Sequence, residues 1–225
     1  MIKAVIFDLD DTLISEKEYV RSGFRQVAIN ISDEYKLDMN EIYKLLLDTC
    51  EEDSKNVFNR VFDKLNISYE IDDIKKLVEI YRGHKPEIKL YDDAKYILDT
   101  LYKKGIKLGM ITDGYKITQR KKLEALNIDN YFEYIVVTDE LGKEYWKPHS
   151  RSYEIMKNKL KFDYDEMVYV GDNLSKDFVT ANKLGMKTVF INRIEGVYSG
   201  IEIDDEYLAS LEVTNLMKLE SVLNI

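Results

Sequence analysis

Residues 4–13 read AVIFDLDDTL. Four apolar residues run straight into three acids within four positions, Asp8, Asp10 and Asp11. So short and apolar a run is what a strand buried on both faces requires. The acids are costly neighbours, because two like charges roughly 4 Å apart at an effective dielectric of 20 repel by about 4 kcal/mol. The stretch reads as a buried strand whose carboxyl end gathers charge for a reason other than stability.

Four further runs have the same character: KLGMIT (107–112), EYIVV (133–137), MVYVG (167–171) and KTVFI (187–191). Helical patterns lie between them. Ala94, Ile97, Leu98 and Leu101 precede Gly105, a plausible helix stop. Others fall at 119–126, 152–160, 177–184 and 214–223. Buried strands alternating with helices predict an α/β fold, a doubly wound (Rossmann-like) parallel sheet covered on both faces.

Between the first strand and the rest, the pattern is helical only. Val20, Phe24, Val27 and Ile31 form one stripe, and Asp38–Glu41 resembles a capping box opening a helix with Ile42, Leu45 and Leu46. Val57, Val61, Phe62 and Leu65 form a third stripe, and Ile74, Leu77, Val78 and Tyr81 a fourth. The expected organisation is a discontinuous core, 1–14 and 86–225, with a four-helix bundle inserted at 15–85.

The chain has 225 residues, 45% hydrophobic and 33% charged, enough for one core plus a small insert. A formal charge of −9 argues against nucleic-acid polymers or anionic membranes as partners. Cys50 is the single cysteine and sits in a charged helical segment, so it reads as an ordinary helix residue. Met1–Lys3 leads directly into the first strand, and no apolar stretch approaches the roughly 20 residues of a membrane span. A cytoplasmic protein is expected, a monomer in the simplest reading and a dimer in the alternative.

In open α/β sheets, ligands bind beyond the carboxyl ends of the strands. There this chain places Asp8 and Asp10; Thr112, Asp113 and Gly114; and Gly171, Asp172, Asn173 and Asp177. Lys147-Pro148 follows EYIVV. Taken singly, each acid is an ordinary cap or turn residue and Lys147 a solvated lysine. Together they converge at one sheet edge, where a bound cation would relieve their repulsion. With no His or Cys in these loops, a hard ion such as Mg²⁺ is favoured over zinc. Thr112, the backbone N–H groups of Asp113 and Gly114, and Lys147 suit a phosphate.

These residues resemble the haloacid dehalogenase (HAD) superfamily, in its phosphatase subgroup with a small helical cap. DLDDT (8–12) is similar to the first motif, ITDG (111–114) to the second, Lys147 to the third and GDNLSKD (171–177) to the fourth. The insert lies where that superfamily's helical cap does.

The resemblance implies that Asp8 is a nucleophile forming a phosphoaspartyl intermediate and that Asp10 is the general acid and base. It implies Mg²⁺ held by Asp8, the Asp10 backbone carbonyl and Asp172, with Asp177 orienting metal-bound water or Lys147. The substrate would be a small phosphorylated metabolite, a sugar phosphate or nucleoside monophosphate. TDGYKITQRKKLEALNI (112–128) is similar to phosphatases of that kind.

Asp10 and the Asp172/Asp177 pair disfavour dehalogenation, and no cap lysine stands out for phosphonate cleavage. A phosphomutase, a phosphorylation-controlled signalling domain and a noncatalytic protein remain as alternatives. Tyr145 and Trp146 either pack beneath the third-motif loop or line the pocket mouth. Tyr19, Arg21, Arg25, Asn56 and Arg60 are candidate cap contacts or solvated surface, and His84 and His149 read as surface or hinge residues. Asp11 is expected on the opposite side of an extended segment, serving the turn.

Overall fold

A computed structural model of the chain describes residues 1–193 and 204–224. It divides into two compact units, Met1–Glu16 with Lys89–Ile225, and Lys17–Ile88.

The first unit is built on six parallel strands: β1 (Ala4–Phe7), β2 (Lys107–Thr112), β3 (Tyr134–Val137), β4 (Met167–Gly171), β5 (Lys187–Ile191) and β6 (Leu211–Val213). Their order is β3-β2-β1-β4-β5-β6, the doubly wound order whose crevice opens where the winding reverses. The five strands expected from the sequence are present. The sixth is an addition: LEV is too short and polar to announce itself and is recruited by pairing with β5.

Strand β1 lies at the centre because all four of its side chains are fully buried. Phe7 is level with Met110 on one side and Val170 on the other. This register brings Asp8, Thr112 and Asp172 to one edge, with the Asp8 N–H donating to Val170 O at 2.9 Å.

Among the described residues, five α-helices belong to this unit: α5 (Asp92–Lys103), α6 (Lys116–Leu126), α7 (Arg151–Leu160), α8 (Val179–Lys183) and α9 (Leu219–Leu223). One sheet face packs Ile6, Ile111 and Tyr169 against Tyr153, Met156 and Phe178. Full burial of such apolar side chains contributes about 1.5–3 kcal/mol each. Two helices are shorter than expected. Helix α8 begins at Val179, because Asp177 turns back to accept the N–H of Asn173 (3.0 Å) instead of entering a helix. Helix α9 begins at Leu219, after a short 3-10 turn.

The second unit holds α1 (Glu16–Tyr35, save its first residue), α2 (Met39–Glu52), α3 (Val57–Lys64) and α4 (Ile71–Gly83). Phe24, Val27, Ala28 and Ile31 meet Ile42, Leu46, Val61, Phe62, Ile74 and Leu77 in one apolar cluster. Asp38 caps α2 by accepting the N–H groups of Asn40 and Glu41. Tyr19 is fully buried instead of solvated, edge-on to Tyr81. His84 is buried too, its ring 2.6 Å from Tyr81 O and 3.0 Å from Ser22 Oγ. Arg25 and Arg60 pair with Glu87 and Glu52 within the same unit. No helix of the described residues is long and apolar enough to cross a membrane.

Candidate active site

At the carboxyl end of β1, Asp8 Oδ1 accepts from the Lys147 ammonium at 2.6 Å. The same ammonium lies 2.7 Å from Asp177 Oδ1 and 3.0 Å from the Tyr169 hydroxyl. An ammonium has three N–H donors, and these three partners, with Ile111 O at 3.5 Å as a fourth acceptor, leave none to spare. Carboxylate oxygens of Asp8, Asp172 and Asp177 lie within 4.8 Å of one another. Gly171 makes this closeness possible, since a Cβ there would sit 2.3 Å from Asp177 Oδ2.

The electrostatics follow from burial. Burial pushes the Asp8 carboxyl up to about 7, with Lys147 opposing and Asp177 adding to the rise. Asp172 is pushed up to about 9 by burial and then by repulsion from Asp8 and Asp177. Acids held so far above their ordinary value are under-neutralised. Three converging hard oxygen donors fit a cation such as Mg²⁺ and do not fit a soft one.

Asp10 stands apart from this cluster. Its Oδ1 accepts from Lys122 at 2.6 Å and its Oδ2 from Gln119 Nε2 at 2.9 Å. Gln119 also reaches Thr112 Oγ1, and Lys122 also pairs with Glu16. Burial alone would raise Asp10, but the Lys122 charge and the surrounding hydrogen bonds hold it below the ordinary carboxylate value. Lys122 is driven up in turn, its two acids outweighing its burial.

Asp113 ties three loops together. Its Oδ1 accepts from the Lys147 backbone N–H (3.1 Å) and Thr138 Oγ1 (2.7 Å), and its Oδ2 from Lys176 Nζ (3.0 Å). Gly114 adopts φ +128°, a conformation that favours glycine, and so turns the chain into α6. At the start of that helix the Lys116 N–H donates to Asp139 Oδ2 at 2.9 Å, so one helix-end donor already has an acid.

The chain as a whole resembles known proteins. A family model for haloacid dehalogenase-like hydrolases matches residues 5–191. The chain belongs to that family. This hydrolase is 31% identical to the glyceraldehyde 3-phosphate phosphatase of Methanocaldococcus jannaschii, over 99% of this chain and 97% of that one. It is 35% identical to the glyceraldehyde 3-phosphate phosphatase of Methanopyrus kandleri, over 90% and 88%. Among solved structures, a HAD phosphatase from Thermococcus onnurineus superposes with a TM-score of 0.64 at 27% identity, covering 99% of this chain and 98% of that one.

The hydrolase brings together Asp8, Lys147, Asp172 and Asp177, and separately links Asp10 to Thr112 through Gln119. Asp11 is not extended: it takes φ 50°, and its Oδ1 accepts the Glu16 N–H at 2.9 Å, at the start of α1. Trp146 packs edge-on to Tyr115 and Tyr145 to His149, all outside the acid cluster's hydrogen bonds. Sequence reading missed Gln119, Lys122, Thr138, Tyr169 and Lys176. Lys122 had one signal, its place at the core-facing spacing of α6 next to Leu123. Lys176 had another, as the lone cation inside GDNLSKD.

Proposed function

We propose that this hydrolase is a Mg²⁺-dependent phosphatase of small phosphorylated metabolites, with a sugar phosphate of the glyceraldehyde 3-phosphate kind as first candidate. One observation carries the reading: Asp8, directly after the central strand, is held 2.6 Å from Lys147 within a carboxylate cluster at the switch point of the sheet. The substrate class is supported by the named activity of the two archaeal relatives.

In this reading Asp8 attacks phosphorus and Asp10 delivers a proton to the departing alkoxide oxygen. Asp10 then takes a proton from the water that hydrolyses the phosphoaspartate. Both Asp10 oxygens are already bonded, to Lys122 and Gln119, and these bonds hold it ionised, so Asp10 exchanges one of them and takes up a proton from solvent before it serves the leaving oxygen. Thr112 Oγ1 and the amides of Asp113 and Gly114 hold phosphoryl oxygens. Asp177 fixes Lys147, which accompanies Asp8. Mg²⁺, held by Asp8, Asp172 and the Asp10 carbonyl, would offset the charge of the carboxylates and the phosphoryl group. The Lys17–Ile88 unit is read as the superfamily's cap domain, and the protein as cytoplasmic.

Phosphate release across triose phosphates, other sugar phosphates and nucleoside monophosphates, with Mg²⁺ and with excess chelator, tests the proposal. Hydrolysis of one class that stops on chelation is expected. Uniformly negligible release, or full activity in chelator, overturns it.

A further inference from the structure

Three lysines stand at this site: Lys122 is buried between Asp10 and Glu16, and of the two beside the acid cluster only one has capacity left. Lys147 has a fully buried side chain and spends its three donors on Asp8, Asp177 and Tyr169. Lys176 keeps 30% of its side chain exposed, and its ammonium bonds Asp113 Oδ2 at 3.0 Å. Asp113 does not need that bond to stay in place, because Thr138 and the Lys147 N–H anchor its other oxygen. The loop presenting Lys176 is itself well held. The N–H groups of Lys176 and Asp177 donate to Asn173 O, and the Asn173 side chain accepts from the Ser175 N–H and hydroxyl.

Charge balance points the same way. Asp8, Asp113, Asp172 and Asp177 face Lys147 and Lys176, a formal excess of two negative charges when all are ionised, and the adjoining Asp10 and Glu16 with Lys122 add one more. A divalent cation offsets two of these charges, and removing Lys176 adds another. Without Lys176, a phosphate ester dianion would enter a more strongly negative site.

Resting on the phosphatase reading, we propose that Lys176 is a substrate-contacting residue of this site. Its ammonium is held by Asp113 in the free protein and donates to a non-bridging phosphoryl oxygen when substrate binds. The assignment gives the site a partly exposed lysine in addition to the fully buried Lys147.

The test compares wild type, K176M, K176R and the double variant D113N/K176M. Each is assayed for kcat and KM on the best ester and, by calorimetry with Mg²⁺, for binding of inorganic phosphate. Loss of a charge-assisted contact predicts a fall of about 10- to 100-fold in kcat/KM and in phosphate affinity for K176M, with K176R retaining most of both.

The double variant separates contact from neutralisation. Asn at 113 keeps an oxygen for Thr138 and the Lys147 N–H while removing the charge that Lys176 offsets. If Lys176 touches phosphate, the double variant stays as impaired as K176M. Recovery in the double variant, or wild-type phosphate affinity in K176M, overturns the proposal, as does failure of wild type to bind phosphate. A wild type that binds phosphate but hydrolyses no ester refutes the phosphatase reading, while the calorimetric comparison still decides the role of Lys176.

Discussion

Asp10 and Lys122 form an ion pair of 2.6 Å in which the lysine side chain is 1% exposed and the acid 25%. The second acid of the first motif is therefore tied to the middle of helix α6, together with Glu16. Replacing Lys122 by Met strands Asp10 and Glu16 beside each other without their cation. Breaking such a buried pair costs about 3–5 kcal/mol, and the partial exposure of Asp10 puts the expected loss near the lower end. Urea unfolding of K122M measures it, and phosphate release by the same variant should show a reduced kcat.

Asp8→Asn removes the nucleophile while preserving shape and an oxygen facing Lys147. Turnover should fall by about 10⁴-fold or more, with an unchanged circular dichroism spectrum. Unimpaired phosphate release would remove Asp8 from the mechanism.

Gly171→Ala puts a methyl group 2.3 Å from Asp177 Oδ2. Asp177 must then leave either Lys147 or the Asn173 N–H. Overpacking of this kind costs about 1–3 kcal/mol, read from the melting temperature. Mg²⁺ affinity should weaken as well, because the neighbouring carboxylates are displaced.

The pH dependence of stability has a definite sign. Asp8 and Asp172 are raised from 3.8 to about 7 and about 9. The folded protein therefore keeps protons that the unfolded chain has already released. The stability they contribute is complete below about pH 4 and is lost as pH rises through 7 and 9. In chelator, melting temperature should fall over that window. Added Mg²⁺ should stabilise the protein increasingly with pH, since it takes the place of the protons. A Mg²⁺ effect independent of pH between 5 and 9 would contradict the carboxylate site.

Asp11→Asn should be nearly silent. Asn keeps the Oδ1 that accepts the Glu16 N–H and tolerates the positive φ. Asp11→Ala loses that cap-like bond at about 1 kcal/mol, with kcat/KM within about twofold of wild type, because Asp11 Oδ1 serves the Glu16 N–H and its charge pushes Asp172 up less than those of Asp8 and Asp177 do.

The order of burial along this chain was legible residue by residue. AVIF, KLGMIT, YIVV, MVYVG and KTVFI are apolar runs of strand length, and a parallel sheet covered by helices is the arrangement that hides them all. The four helical stripes of residues 20–81 converge in one cluster for the same reason. Strand β6 escaped notice because three residues carry no periodicity, and it exists only through its pairing with β5.

Which groups end up beside one another was a different matter. Asp8 and Asp172 could be named in advance because each closely follows an apolar run and strand ends share an edge, and Lys147 and Asp177 because they match the third and fourth motifs of the superfamily. Lys122, Gln119 and Lys176 could not, since a lysine or glutamine on a helix or loop reads as solvated until its neighbours are known. Lys122 is buried because α6 carries it to Asp10 and Glu16, and Lys176 meets Asp113 because the loops after β4 and β2, the two strands flanking β1, reach each other beyond its end. Local sequence thus determined the strands and the helical stripes through hydrophobic periodicity, and the acids at the strand ends through their position and motif spacing. Tertiary packing decided which charges are paired, which are spent and which remain available, because ionic partnership depends on distance in space and not along the chain.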